Sequence, residues 1–292
     1  MNEVKTETKK AIAEALKVYV DGPAGGSMNK ASKMLKGISV GYVSQILAGK
    51  WDSMSDAMWN NISNQVMGAK TGEWVIVETS NYLDLTALFE DASLYSNTHG
   101  IIGDAGCGKT CTAEHYSLTE NFYLVKCNEY LNRMSFLQEI LTAMGKDAGG
   151  YTTHEMMFTI INQILKTKNP VIILDEADKL SNQVLLFFIS LYNSLEGRCG
   201  LIMMATDFLQ KRIEQGVRLN KKGYKEIYSR LGRRFINLSK PSNSDIRTII
   251  KANGITDPLD ITEIANNCED DLRRVKRLVH AFKKRSAQHQ EA

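Results

Sequence analysis

The sequence predicts an α/β architecture. A parallel sheet is covered by helices over residues 81–240, with an all-helical stretch before it and a small helical stretch after it. Three observations carry this. Short apolar runs alternate with helix-patterned segments from about Tyr82 to Leu238. A glycine-rich loop, GDAGCGKT at Gly103 to Thr110, stands between one such run and a helix. Residues 5–67 and the residues after Pro241 show helical spacing and no strand pattern. Strands that alternate with helices build right-handed βαβ units, and their sheet is buried on both faces.

Taken in order, residues 5–67 read as short helices separated by polar breaks. Ile12, Leu16 and Tyr19, and again Val43, Ile46 and Leu47, recur at helical spacing. DGPAGGS at 21–27 is a turn on its chemistry, with Ser27 placed to cap the next helix. A helix over 29–36, a turn at Gly37 and a second helix within SVGYVSQILAGKW (39–51) follow. In that second helix Val43, Ile46 and Leu47 point inward while Tyr42, Ser44 and Gln45 face out. This gives a helical domain over 1–67 and a linker over 68–80. The buried strands are GII (100–102), FYLVKC (122–127), VIILD (171–175) and GLIMMAT (200–206). The intervening helices fall at 109–118, 135–144, 154–167 and 182–195. Helical segments at 243–253, 260–267 and 271–287 make a lid over 241–287, and a polar tail closes the chain at 288–292.

The bulk numbers set outer limits. A chain of 292 residues, 43% hydrophobic and 24% charged with four prolines, is globular and long enough for about two domains. Nothing approaches the ~20 consecutive apolar residues of a membrane span. MNEVKTETKK lacks the apolar centre of a signal peptide, so a cytoplasmic location is expected. The five cysteines are scattered with no CxxC pair, which reads as free thiols rather than a metal site. The net charge of +3 says little, but its distribution says more. Residues 1–70 hold nine Lys and six acids, Phe208 to Arg234 nine basic residues and two acids, and Leu272 to Arg285 seven basic residues and no acid. Such patches fit nucleic acid, and a solvated helix face is the plainer reading of any one of them.

The loop at Gly103 to Thr110 fits G-x-x-x-x-G-K-[ST] between a strand and a helix. A backbone that wraps a phosphate must turn its N–H groups inward, which a Cβ obstructs, so Gly103, Gly106 and Gly108 stand there. Cys107 and Cys111 lie within the same phosphate-binding segment. The helix that follows adds its N-terminal dipole. Lys109 reaches the β- and γ-phosphates of a bound ATP, and the Thr110 hydroxyl is a ligand for Mg²⁺. In PVIILDEAD, Asp175 at the strand end is the carboxylate for that metal. Glu176 beside it is placed to activate or position a water for attack on the γ-phosphate. A surface carboxylate that merely follows a strand is the other reading of Glu176.

With these residues in place the chain resembles the AAA+ ATPases over about 82–285. MMATD resembles the sensor I strand, which implies that Thr206 touches the γ-phosphate or the attacking water. YSRLGRRF resembles the arginine-finger segment. This implies that Arg230, with Arg233 and Arg234 as rivals, acts in trans in a homo-oligomer. EDDLRRV resembles the start of the sensor II helix, with Arg273 as the γ-phosphate contact and Arg274 as the alternative. Asn128 occupies the place of a polar residue that restrains the catalytic glutamate.

SVGYVSQILAGKW resembles the recognition helix of lambda-repressor-like helix-turn-helix proteins, with a slightly longer turn. Tyr42, Ser44, Gln45 and Lys50 would then face DNA. A generic helical interaction domain is the alternative. A small DNA-binding head on one AAA+ module resembles MuB and the TnsC-type ATPases of transposition target selection. The resemblance implies an ATP- and Mg²⁺-dependent oligomer or helical filament on double-stranded DNA. It also implies capture of target DNA, activation of a DDE transposase, and a phage- or mobile-element-encoded protein in a bacterial cell. In such filaments Arg133 and Lys179 occupy the loops that meet the DNA backbone. An initiator- or helicase-loader-like ATPase and a nucleotide-gated regulator with little turnover are the competing readings.

Overall fold

A computed structural model describes residues 6–22, 24–35, 37–51, 54–66 and 74–290. The chain forms two compact units, Met1–Trp74 and Val75–Ala292.

The first unit holds α1 (Thr6–Asp21), α2 (Met28–Met34), α3 (Val40–Leu47) and α4 (Asp56–Val66). Ser27 and Ser39 cap α2 and α3 by accepting from the N–H groups of Lys30 and Tyr42. Gly37 makes the turn between them with φ +73°. Ile12, Leu16, Val43, Ile46, Trp59 and Ile62 form its core, and the Trp51 and Trp59 rings meet edge to face. On α3, Val43 and Ile46 are buried, Leu47 is half-buried, and Tyr42, Ser44 and Gln45 face solvent, as does Lys50 just beyond.

The second unit runs α5 (Ser80–Tyr95), β1 (Thr98–Ile102), α6 (Lys109–Tyr116), β2 (Phe122–Lys126), α7 (Arg133–Ala143), α8 (Thr153–Leu165) and β3 (Val171–Asp175). It continues through a 3-10 turn (Ala177–Lys179), α9 (Asn182–Leu195), β4 (Gly200–Ala205), α10 (Asp207–Arg218), α11 (Tyr224–Arg230) and β5 (Ile236–Asn237). The lid helices are α12 (Asn243–Ala252), α13 (Pro258–Asn267) and α14 (Leu272–Gln290). The five strands are parallel in the order β2-β3-β4-β1-β5. Ile172 and Leu174 of β3 pack into one core and Val171 and Ile173 into the other, so the strand is apolar at nearly every position.

Two boundaries differ from the sequence expectation. The linker expected at 68–80 falls partly outside the described residues, and its last part belongs to the second unit. There the Asn253 side chain accepts from the Val75 N–H at 2.9 Å and donates to the Val75 carbonyl at 3.0 Å, while Thr79 caps α5. The polar tail expected at 288–292 is helical through Gln290, because α14 runs that far; residues 291–292 lie outside the described residues. No helix among the described residues is long and apolar enough to cross a membrane.

Candidate functional site

The strand order sets β3, β4 and β1 side by side, and their carboxyl ends bring three sequence-distant segments together. Asp175 ends β3, Thr206 follows β4, and the glycine loop follows β1. The crevice outside the carboxyl ends of an open parallel sheet is where such folds bind ligands.

The loop is held open by its own backbone. Gly103 N–H donates to the Ala205 carbonyl at 3.1 Å, tying the loop to β4. Among the described residues no carbonyl accepts from the backbone N–H groups of Gly106, Gly108, Lys109 or Thr110. Gly106 and Gly108, at φ +79° and +103°, allow the turn that gathers these donors at the start of α6. That is a cradle for an anion with several oxygens. Lys109 folds over it, its Nζ donating to the carbonyls of Gly103 at 2.6 Å and Asp104 at 3.0 Å and lying 3.6 Å from the Cys107 sulfur. Cys107 is buried beneath the loop and Cys111 is exposed on the first turn of α6.

Thr110 donates its hydroxyl to Asp175 Oδ2 at 2.7 Å, which leaves the oxygen's lone pairs free. Burial raises the Asp175 carboxyl above its usual range and the neighbouring Glu176 adds to this. The Thr110 hydroxyl, the Glu176 N–H and the Lys109 charge oppose them. A divalent cation would relieve that penalty, and the two oxygens fit a hard cation such as Mg²⁺. Among the described residues no cluster of three His, Cys, Asp or Glu side chains could hold a metal unaided. The remaining ligands would have to be phosphate and water oxygens, which is how Mg²⁺ is usually held beside a nucleotide.

Glu176 sits at φ +56°, uncommon for a residue with a Cβ. Its Oε2 accepts from Lys179 Nζ at 2.6 Å. Among the described residues Asn128, expected to restrain Glu176, makes no hydrogen bond to it, and the Asn128 Oδ1 is buried without a partner. Lys179, expected as an outward DNA contact, is engaged in this ion pair because the 3-10 turn sets it one turn past Glu176. Arg133, the first residue of α7, is exposed. Thr206 donates to Asp178 Oδ2 at 2.8 Å.

The arginines differ in their engagement. Arg230 donates to Asn193 Oδ1 at 3.0 and 3.3 Å and lies 5.3 Å over the Tyr192 ring. Arg233 and Arg234 are exposed on the turn that follows. Arg274 pairs with Glu269 at 2.6 Å, whereas Arg273 points into solvent at the start of α14.

Three contributors escape sequence reasoning. Asn81, buried at the start of α5, donates to the Cys107 and Ser239 carbonyls and clamps the back of the loop. Leu272 N–H donates to the Gly106 carbonyl at 3.0 Å, seating α14 on the loop. A Cβ on Gly106 would stand 2.0 Å from Asp271 Oδ1 and 3.1 Å from the Asp271 Cα. Gly106→Ala is therefore expected to weaken ATP binding at least about tenfold with the fold intact. The left-handed backbone alone costs roughly 1–2 kcal/mol with a Cβ, and Asp271 must also withdraw. Titration with a fluorescent ATP analogue, beside a circular dichroism melt, measures this; unchanged affinity would remove the lid contact from the site.

Residues 98–213 match the family model described as AAA domain. No curated protein matches the chain. Among solved structures it is similar to Cdc6p from Pyrobaculum aerophilum, at 17% identity over 76% of this chain and 66% of that one, with a TM-score of 0.52. It is also similar to the Thermotoga maritima RuvB Holliday junction branch migration motor, at 17% identity over 70% of this chain and 61% of that one, with a TM-score of 0.44. The chain thus spans less than two thirds of the length of either protein.

Proposed function

From a second unit with the P-loop AAA+ fold, we propose that the chain is a DNA-binding ATPase of transposition target selection. It binds ATP with Mg²⁺, hydrolyses it to ADP and phosphate, and assembles as an oligomer or filament on double-stranded DNA. There it captures target DNA and activates a DDE transposase. The observation that carries the ATPase reading is the convergence of the glycine loop, Asp175, Glu176 and Thr206 at three adjacent strand ends. The DNA half rests on the helix-turn-helix-like first unit and on the basic segments of the second.

Each group has a task. The loop N–H groups and Lys109 bind the phosphates, while Thr110 and Asp175 hold the Mg²⁺, which supplies charge neutralisation at the phosphates. Glu176 takes a proton from the attacking water once it leaves Lys179. Arg273 reaches the γ-phosphate from the lid, and Arg230 completes a neighbour's site. Tyr42, Ser44, Gln45, Lys50, Arg133 and Lys179 contact DNA, the last two on its backbone.

Binding to random-sequence duplex is expected to fall by roughly 10³-fold or more between about 50 and 200 mM salt, because neutralising six or more phosphates releases that many counterions. ATP should tighten binding through assembly, since each subunit adds few contacts and the filament multiplies them. Removing residues 1–67 should weaken binding yet leave ATP-dependent filaments on DNA. Anisotropy titrations of both proteins with ATP, ADP and no nucleotide, alongside electron microscopy, test this. Binding indifferent to salt and nucleotide would favour a sequence-reading regulator instead.

A further inference from the structure

We propose that Asp178 is a positioning residue for hydrolysis: by taking the only proton of the Thr206 hydroxyl, it fixes Thr206 as an acceptor for the attacking water. Thr206 is then no donor to the γ-phosphate. The inference rests on the ATPase reading above and assigns the chemistry of its polar strand-end residue. A hydroxyl has one proton and two lone pairs, and a carboxylate only accepts. In the 2.8 Å contact between Thr206 Oγ1 and Asp178 Oδ2 the hydroxyl therefore donates. Thr206 is also the N-cap of α10, where a threonine oxygen commonly accepts from the helix, yet it makes no such bond. Among the described residues its proton is committed to Asp178 and no group donates to its lone pairs.

Asp178 is held where this requires it. Arg212 of α10 donates to the Asp178 carbonyl at 3.3 Å, to the Leu180 carbonyl at 2.7 Å, and to Asn182 Oδ1 at 3.1 and 2.6 Å. Tyr224 donates to the same Asn182 oxygen at 2.8 Å. The turn after β3 is thus braced against the helix that Thr206 begins. With two acceptors in the crevice, an attacking water places one O–H on Glu176 and the other on Thr206. One of its two lone pairs then faces the γ-phosphorus. The new P–O bond forms as the bond to the β-phosphate oxygen breaks, and the proton passes to the Glu176 carboxylate.

The test uses the full chain with Thr206→Val, Thr206→Ser, Asp178→Ala, Asp178→Asn and the double variant Asp178→Ala/Thr206→Val. Affinities for AMP-PNP and ADP are measured at equilibrium, and kcat is measured in the same preparations. Thr206→Val should lower kcat on the order of 10- to 100-fold, while the ratio of AMP-PNP to ADP affinity stays within about twofold of wild type. Asp178→Ala should lower kcat similarly, the double variant should fall little further than Thr206→Val, and Thr206→Ser and Asp178→Asn, which keep the hydroxyl and an acceptor, should recover most of the loss. A selective loss of AMP-PNP affinity in Thr206→Val would make the hydroxyl a γ-phosphate donor and overturn the proposal. So would wild-type kcat in Asp178→Ala, or multiplicative losses in the double variant. Wild-type protein that binds no nucleotide, or binds and never turns it over, would overturn the ATPase reading itself and this inference with it.

Discussion

Glu176→Gln is expected to lower kcat by about 10²- to 10⁴-fold, the usual worth of a positioned proton acceptor, while ATP affinity stays close to wild type. The substitution keeps the shape of the side chain and removes its ability to take a proton. It also exchanges the 2.6 Å ion pair with Lys179 for a neutral contact. That loss is small for stability, since both partners are about 40% exposed (42% and 43%) and exposed pairs are worth ~0–1 kcal/mol. Lys109→Ala is the contrasting control, because Lys109 spans the loop itself and its removal takes away the charge opposite the phosphates. Equilibrium binding and single-turnover hydrolysis of the two variants separate the roles. Equal loss of binding in both would leave Glu176 as a structural carboxylate.

The parts of this site legible in the sequence are those whose parts are neighbours in the chain. GDAGCGKT and PVIILDEAD each pack strand, turn and functional group into a few residues, so spacing alone predicts which groups stand at a strand end. What was not legible depends on contacts between distant residues. Asn81 clamps the Ser239 carbonyl across 158 positions, and Asn253 fixes Val75 across 178. Neither asparagine differs from a surface one in any local pattern. Helix α5 escaped for another reason. Leu85, Phe89 and Ala92 are buried, but Leu83, Leu94 and Tyr95 are apolar and exposed, so its apolar residues mark no single face. Strand β5, only Ile236–Asn237, is too short for any periodicity and exists because β1 offers a free edge. Spacing placed Asn128 near the strand end but could not say that Glu176 would turn to Lys179 instead, since that choice lies in side-chain rotamers.

Arg230→Ala is expected to bind ATP normally and to hydrolyse it about 10³-fold more slowly, the lower range for loss of an arginine finger. Within its own subunit Arg230 closes α11 and is braced by Asn193 and the Tyr192 ring, both on α9. A guanidinium held in this way loses less rotamer freedom on docking into a neighbour than a loose one would. The bracing also supplies the rival account, in which Arg230 only staples α11 to α9; that account predicts a lower melting temperature and a proportionate loss of activity. Mixing separates the two. Arg230→Ala protein keeps an intact phosphate loop, and Lys109→Ala protein keeps an intact arginine. At equimolar mixing about one interface in four joins the two intact faces, since each face survives in half of the subunits of a head-to-tail assembly. Recovery of roughly that share of wild-type activity, from two proteins each inactive alone, requires that the arginine act across the interface. A staple gives no recovery at any ratio, and the same mixing with Arg233→Ala or Arg234→Ala would then locate the finger on the exposed turn.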